Sequence, residues 1–291
     1  MAFDNVHSIL KSGCPISSWK LLLAAAARSR PKYRALSLGL LRPFTHNGEV
    51  LVQYRCYNRN LRCFIRLSEL ESDIVSFLEL SVGDTYNINF NFQPDLVIDG
   101  GGNIGLFTLR AAVGTASAGS LPVRLVVCEP MPGNIAQIRK HLEINNLSAE
   151  IIAGCLGGER RTIPFYCRDA IDSSFDPEKP YTSVVDMPVY SLQDLIGTAL
   201  AKRILIKLDI EGMEIEVLNS FLPGEQRPVY IVGELHNFAA NASLMRRTFQ
   251  DHCWPFEFRS ITDDHATFRA CSPSALQLLP EMASIQQPVP N

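Results

Sequence analysis

From Asp95 onward, short apolar runs alternate with segments whose apolar residues recur at helical spacing. Strand-like runs lie at Leu96 to Ile98, Arg124 to Cys128, Glu150 to Ala153, Ile204 to Ile210 and Val229 to Leu235. Helical patterns occupy Asn103 to Val113, Pro132 to Ile144, Gly212 to Phe221 and Ala239 to Gln250, and Ile135, Ile138 and Leu142 share one face of the second. Near-continuous apolar strands separated by helices predict a parallel sheet covered on both faces. The end breaks this rhythm. Phe256 to Thr262 and Ala266 to Cys271 are strands joined only by Asp263-Asp264-His265, and so short a link forces them to be antiparallel. The fold class is therefore α/β, a mostly parallel sheet closing in an antiparallel hairpin.

The preceding stretch has a different character. Residues 1 to about 45 read as helical, with Pro31 between two helices. Glu49 to Tyr57 and Leu61 to Leu67 read as a hairpin around Asn58-Arg59-Asn60, because Leu61, Cys63, Ile65 and Leu67 alternate with Arg62, Phe64 and Arg66. Ser68 and Glu71 have capping-box spacing ahead of a helix that turns Ile74, Phe77 and Leu78 to the core. The expected organisation is an N-terminal helical and β-hairpin extension over 1–66, a main domain over 67–275 and a tail over 276–291. The extension either completes the pocket or makes a homodimer contact.

A net charge of −3 gives no footprint for nucleic acid. The eight cysteines are scattered singly without a C-x-x-C pair, which argues against a zinc ribbon or a disulfide framework and for a reducing, cytoplasmic home. Leu21 to Ala27 is too short to span a membrane and runs into Arg28-Ser29-Arg30, so neither a membrane anchor nor a leader is expected.

Four polar constellations stand at predicted strand ends. Asp99-Gly100-Gly101-Gly102-Asn103-Ile104-Gly105 links the first strand to its helix, the arrangement that holds a nucleotide-like ligand against a helix N-terminus. Asn103 can cap that helix. The spacing is not G-x-G-x-x-G, and Asp99 would repel a pyrophosphate but suit a cation, which disfavours a nicotinamide dehydrogenase. Glu129, followed by Pro130, ends the second strand, where an acid can take both hydroxyls of a ribose. Lys207, Asp209 and Glu211 alternate toward one side of the fourth strand, and Glu234 and His236 share a face at the end of the fifth. Each has a plainer alternative: a turn needed only for geometry, a surface carboxylate, a structural Lys207–Asp209 pair, a satisfied histidine. Glu214 and Glu216 read as solvated, with capping or orienting a neighbour as the alternative. Asp209, Glu211, Glu234 and His236 can in principle hold a divalent cation, but nothing in their spacing demands one, and no metal is expected.

Taken in order, V-I-D-G-G-G-N-I-G, C-E-P-M-P-G-N, I-K-L-D-I-E-G-M-E-I-E-V-L and V-G-E-L-H resemble the FkbM family of S-adenosylmethionine-dependent methyltransferases, over roughly Leu67 to Cys271. K-x-D-I-E-G-x-E is the most distinctive part. Ser72-Asp73 matches a pair that the family tends to carry on the helix before the first strand. The resemblance implies a Rossmann-like, seven-stranded class I methyltransferase sheet and S-adenosylmethionine as cofactor, with S-adenosylhomocysteine as product. It places Asp99, Gly101, Asn103 and Gly105 at the methionine end, with Gly100 and Gly102 where larger residues are more usual. Glu129 and Pro130 fall at the ribose, Ala153 and Gly154 near adenine, and Asp209 near the transferring methyl.

The reading that follows is O-methylation of a hydroxyl on a small-molecule natural product or a sugar-containing metabolite. The alternatives are N-methylation of a small molecule and a non-catalytic cofactor-binding protein. His236 is the expected general base, Asp209 or Glu234 orients it, and Lys207 fixes Asp209. The polar stretch Arg168 to Met187 is expected to be a lid over the acceptor.

Overall fold

The computed structural model describes residues 43, 45–119, 122–167, 181–197, 201–259, 261–262 and 264–285. The helices read in residues 1–42 and positions 168–180 of the expected lid lie outside these.

Strand β1 (Thr45–His46) pairs with the hairpin of β2 (Glu49–Cys56) and β3 (Arg59–Arg66). Period two holds. Val50, Val52 and Tyr54 on β2 and Leu61, Cys63 and Ile65 on β3 are buried, while the residues between them face outward. This face meets Ile74 and Phe77 of helix α1 (Leu70–Phe77) and, beyond them, Leu109, Val113, Ile138 and Leu142. The hairpin thus shares an apolar cluster with the helices on one side of the main sheet. The expected capping box does not form, because α1 starts one residue later, with Glu69 as N-cap and no side-chain cap bond. Its first turn is tied back to β3 by Asp73, which accepts from the Arg66 backbone N–H at 2.8 Å and from the guanidinium at 2.6 and 3.0 Å.

A π-helical turn (Leu78–Val82) and a 3-10 turn (Phe90–Phe92) lead into β4 (Leu96–Gly100) and α2 (Leu106–Ser117). Next come β5 (Arg124–Glu129), α3 (Pro132–Ile144) and β6 (Glu150–Ala153). The chain then builds a small sheet from β7 (Cys155–Leu156), β8 (Arg161–Cys167) and β9 (Ser183–Tyr190), in the order β7-β9-β8. Positions 183–187 of the expected lid are therefore strand, paired with β8. The first four residues of β9 are all exposed, so no apolar alternation announces it. Helix α4 (Leu192–Ile196) carries a true capping box between Ser191 and Asp194. It is followed by β10 (Ile204–Leu208), α5 (Glu214–Phe221), β11 (Val229–His236) and α6 (Phe238–Asp251). The chain closes with β12 (Phe256–Arg259), β13 (His265–Cys271) and α7 (Pro280–Ala283), whose Met282 is buried on the sheet.

The main sheet has the order β12-β13-β11-β10-β4-β5-β6. Neighbours from β11 through β6 are parallel, and β13 runs antiparallel to both β11 and β12. This is the seven-stranded class I methyltransferase sheet with its terminal hairpin. Every residue of β4 and β10 is buried, which explains why they are apolar apart from Asp99, Gly100 and Lys207. Among the described residues no helix is long and apolar enough to cross a membrane.

His141 on α3 joins the hairpin to the main domain. Its Nε2 accepts from the Phe64 backbone N–H at 2.8 Å, and its Nδ1 stands 2.7 Å from the Ile104 carbonyl, so the proton sits on Nδ1. Burial pulls its pKa down from 6.5 to about 4. The unfolded chain then takes up the proton first, so this contribution is whole above the unfolded value and is lost as pH falls toward the folded one. Acidification from pH 7 to pH 5 should cost about 2 kcal/mol at this residue. His141→Gln should be less stable at pH 7 but show a flatter pH dependence in thermal unfolding.

Candidate active site

The glycine turn is shaped by what presses on it. Gly101 has φ +75°, and a Cβ there would lie 1.8 Å from the Asp209 carbonyl oxygen, so the turn packs directly against the chain leaving β10. A Cβ on Gly102 would meet Val127 at 2.3 Å. The Gly101 and Gly102 N–H groups both donate to the Cys128 carbonyl, at 3.0 and 3.1 Å, which holds the turn to β5. Gly100 ends β4 beside Leu208 and Cys128. Asn103 does not cap α2, because the helix begins at Leu106 with Gly105, at φ +83°, as N-cap. Asn103 instead donates its backbone N–H to Glu129 Oε2 at 2.8 Å and its side-chain amide to Ser76 Oγ at 2.9 Å.

Glu129 ends β5 with its carboxylate held on both oxygens. Oε1 accepts from the Met131 N–H at 3.0 Å and the Asn134 amide at 3.1 Å, and Oε2 from Asn103. Burial pushes its pKa up to about 7, against these hydrogen bonds. Ala153 pairs with Glu129 across the strands and is exposed, whereas Gly154 is buried against Pro188 and Tyr190. Pro130 is half-buried next to it.

A buried cation anchors the other half of the site. Lys207 is 3% exposed, and its Nζ donates to the Gly101 carbonyl at 2.5 Å. The same ammonium lies 3.3 Å from Asp209 Oδ2 and 3.6 Å from Asp99 Oδ1. Burial alone would lower the lysine's pKa, but Asp209 and Asp99 outweigh it and raise it. Asp99, 1% exposed, accepts from Thr108 through Oδ2, while Oδ1 has no hydrogen bond. Burial raises its pKa. Asp209 also accepts from the Tyr86 hydroxyl at 3.2 Å. Although its burial favours the neutral acid, Lys207 and then His236 hold it below the usual carboxylate range.

The strand-like row expected through Glu211 stops at Leu208. Glu211 sits in a tight turn at φ +56°, followed by Gly212 at φ +108°. That turn still carries Asp209 and Glu211 toward β11, where His236 Nε2 lies 3.9 and 3.5 Å from them. On the helix that follows, Glu214 is not solvated but takes the other expected role and orients a neighbour. Glu214 is 1% exposed and lies 2.9 Å from His236 Nδ1, and it also accepts from the Ile210 and Gly212 N–H groups. Glu216 pairs with Arg161 of β8. Burial opposes charge on His236, but Glu214 first, then Glu211 and Asp209, raise its pKa to about 10. The imidazole is a cation at neutral pH. Glu234 also holds its proton more tightly, since burial and the Asp209 charge push its carboxyl up to about 8. Asp209, Glu234 and His236 each present one atom within 4.8 Å of the others.

A small cleft opens beside the Lys207–Asp209 pair, lined by Ser76, Glu79, Tyr86, Asn103, Lys207 and Asp209. Tyr86 and Ser76 were not legible as site residues, because they belong to a helix and an irregular segment ahead of the alternating pattern.

Residues 99–255 match the methyltransferase FkbM domain. The chain belongs to the FkbM methyltransferase family. It is similar to Methyltransferase 1 of Beauveria bassiana (strain ARSEF 2860), with 25% identity over 163 residues, 48% of this chain and 64% of that protein. Among solved structures, methyltransferase FkbM from Methylobacillus flagellatus KT aligns with TM-score 0.42 and 14% identity, over 70% of this chain and 53% of that one. M. jannaschii TYW2 in complex with AdoMet aligns with TM-score 0.42 and 10% identity, over 78% and 87%. The chain thus spans less than two thirds of the fungal protein and of the Methylobacillus chain. The FkbM match contains the glycine turn, Glu129 and the charged cluster, while Arg66, Ser76 and Tyr86 precede it.

Replacing Lys207 with Met should leave Asp99 and Asp209 facing each other uncompensated, at a cost of about 3–5 kcal/mol. Glu211→Gln, at the exposed rim, should cost less than about 1 kcal/mol. Chemical denaturation of the two variants compares them directly.

Proposed function

We propose that this chain is an S-adenosylmethionine-dependent methyltransferase acting on a hydroxyl of a small-molecule natural product or a sugar-containing metabolite. The observation that carries the reading is that the glycine turn, Glu129 and the Lys207–Asp209–His236 cluster converge on one edge of the sheet, with strand register placing Asp99 beside Lys207. The residues fit the cofactor. Asn103 Oδ1 is a buried acceptor at the turn with no hydrogen bond, Asp99 Oδ1 faces only the Lys207 ammonium at 3.6 Å, and Glu129 Oε2 accepts one hydrogen bond where a carboxylate oxygen can take two. Asp99 and Asn103 would hold the methionine end, and Glu129 the ribose. When bound, S-adenosylmethionine supplies an electrophilic methyl group.

The protein must then align the acceptor, exclude water and take a proton. On its sequence position His236 was the expected base, but an imidazolium held by three carboxylates has no lone pair to offer. We assign that role to Glu234, whose raised pKa brings it near working pH, where general-base catalysis is most effective. His236 steadies the negative charge that develops on the acceptor oxygen. Lys207 keeps Asp209 ionised and in place.

Calorimetry should detect S-adenosylhomocysteine but not NAD, and candidate acceptors should yield S-adenosylhomocysteine on turnover. With an accepted substrate, Glu234→Gln should lower kcat by about 10²–10⁴-fold and remove a rise in kcat/KM near pH 8. If His236→Gln removes that rise instead, His236 is the base. A second reading follows from the 4.8 Å grouping of Asp209, Glu234 and His236, which suits a divalent cation. Loss of turnover in EDTA with recovery in Mg²⁺ or Mn²⁺ would favour it, and unchanged turnover would assign the cluster to proton handling.

A further inference from the structure

The Ser72-Asp73 pair lies well before the FkbM match, yet Asp73 begins a continuous set of hydrogen bonds that ends at the glycine turn. Asp73 is fully buried and takes three donors from Arg66. The Arg66 Nη2 also donates to Asn134 Oδ1 at 3.1 Å. Asn134, itself buried, donates its amide to Glu129 Oε1. Glu129 Oε2 holds the Asn103 N–H, and the Asn103 amide returns to Ser76 on α1, the helix that carries Asp73. The bonds form a ring through β3, α1, the glycine turn, β5 and α3. At the Arg66 end its polarity is fixed whatever the charge on Glu129. A guanidinium only donates, so Asn134 must turn its oxygen to Arg66 and its NH₂ to Glu129.

We propose that Arg66, locked by Asp73, is a positioning residue for the cofactor: by orienting the Asn134 amide it presents the Glu129 carboxylate to the ribose hydroxyls. The hairpin that ends in Arg66 is then a component of the cofactor site. This rests on the reading of Glu129 as the ribose-binding acid. Without Arg66 the amide is free to flip, and Glu129 then faces an oxygen instead of a donor. The other groups facing Glu129 are Lys207 from β10, which favours its ionised form, and the thiols of Cys128 on β5 and Cys155 on β7. Burial keeps both thiols protonated through neutral pH.

The test is calorimetric titration of the full chain with S-adenosylhomocysteine from pH 6 to pH 9, alongside thermal unfolding. Wild-type binding should weaken below about pH 7, as Glu129 takes up a proton. Arg66→Met should bind about tenfold more weakly at pH 7, with the midpoint shifted up by roughly one pH unit and near-normal affinity at pH 9. Arg66→Lys, which keeps a donor, should recover part of the loss. If Arg66→Met does not fold, Asn134→Ser carries the same expectation. A variant that loses thermal stability but keeps the wild-type midpoint would overturn the proposal and leave the cofactor reading standing. Wild-type protein that binds no S-adenosylhomocysteine at any pH would overturn both.

Discussion

An ammonium group sealed among two carboxylates and a carbonyl is the point on which the site depends. Lys207 stands on a central strand of the sheet whose other residues are all apolar, and a lone charge there would be expelled or neutralised. It stays because Asp99 on β4 and Asp209 after β10 face it and the Gly101 carbonyl accepts from it. The absence of a side chain on Gly101 is what lets the turn come this close to Asp209. One buried cation thus joins two strand ends and the glycine turn, and holds Asp209 at the wall of the cleft.

Around that anchor the charges sort themselves by what each side chain meets. His236 and Glu234 leave the same strand two residues apart and both hold their protons more tightly than usual, yet for opposite reasons and with different charge. The histidine points at Glu214, Glu211 and Asp209 and becomes a cation, while Glu234 is buried near Asp209 and resists ionisation. Near neutral pH the histidine is thus charged, and the carboxyl is the group whose proton can still exchange.

The hairpin before the main domain is bound to it by polar links as well as by packing. Phe64 reaches the carbonyl of Ile104 through His141, and Arg66 reaches Glu129 through Asn134. The first ends in the glycine turn, and the second reaches it through the Asn103 N–H that Glu129 accepts. An element that reads as an appendage therefore braces the loop on which ligand binding rests.

Alternating apolar strands, helices at 3.6-residue spacing and a three-residue link between the last two strands were enough to read a parallel sheet ending in a hairpin. The strand-end positions of Asp99, Glu129, Lys207, Asp209, Glu234 and His236 followed from the same periodicity, because residues at strand C-termini face one crevice. Local pattern carries this information because backbone geometry repeats every two or 3.6 residues. It carries nothing about partners far away in the chain. Glu214 looked solvated until the Gly212 turn folded it under His236, Tyr86 lay in a stretch with no period, and β9 hid its strand character in exposed residues. The charge on His236, and the loss of Asn103 as a helix cap, depend on distances between side chains brought together from separate elements. Those distances exist only once the sheet has assembled, and protonation state follows the surroundings they create.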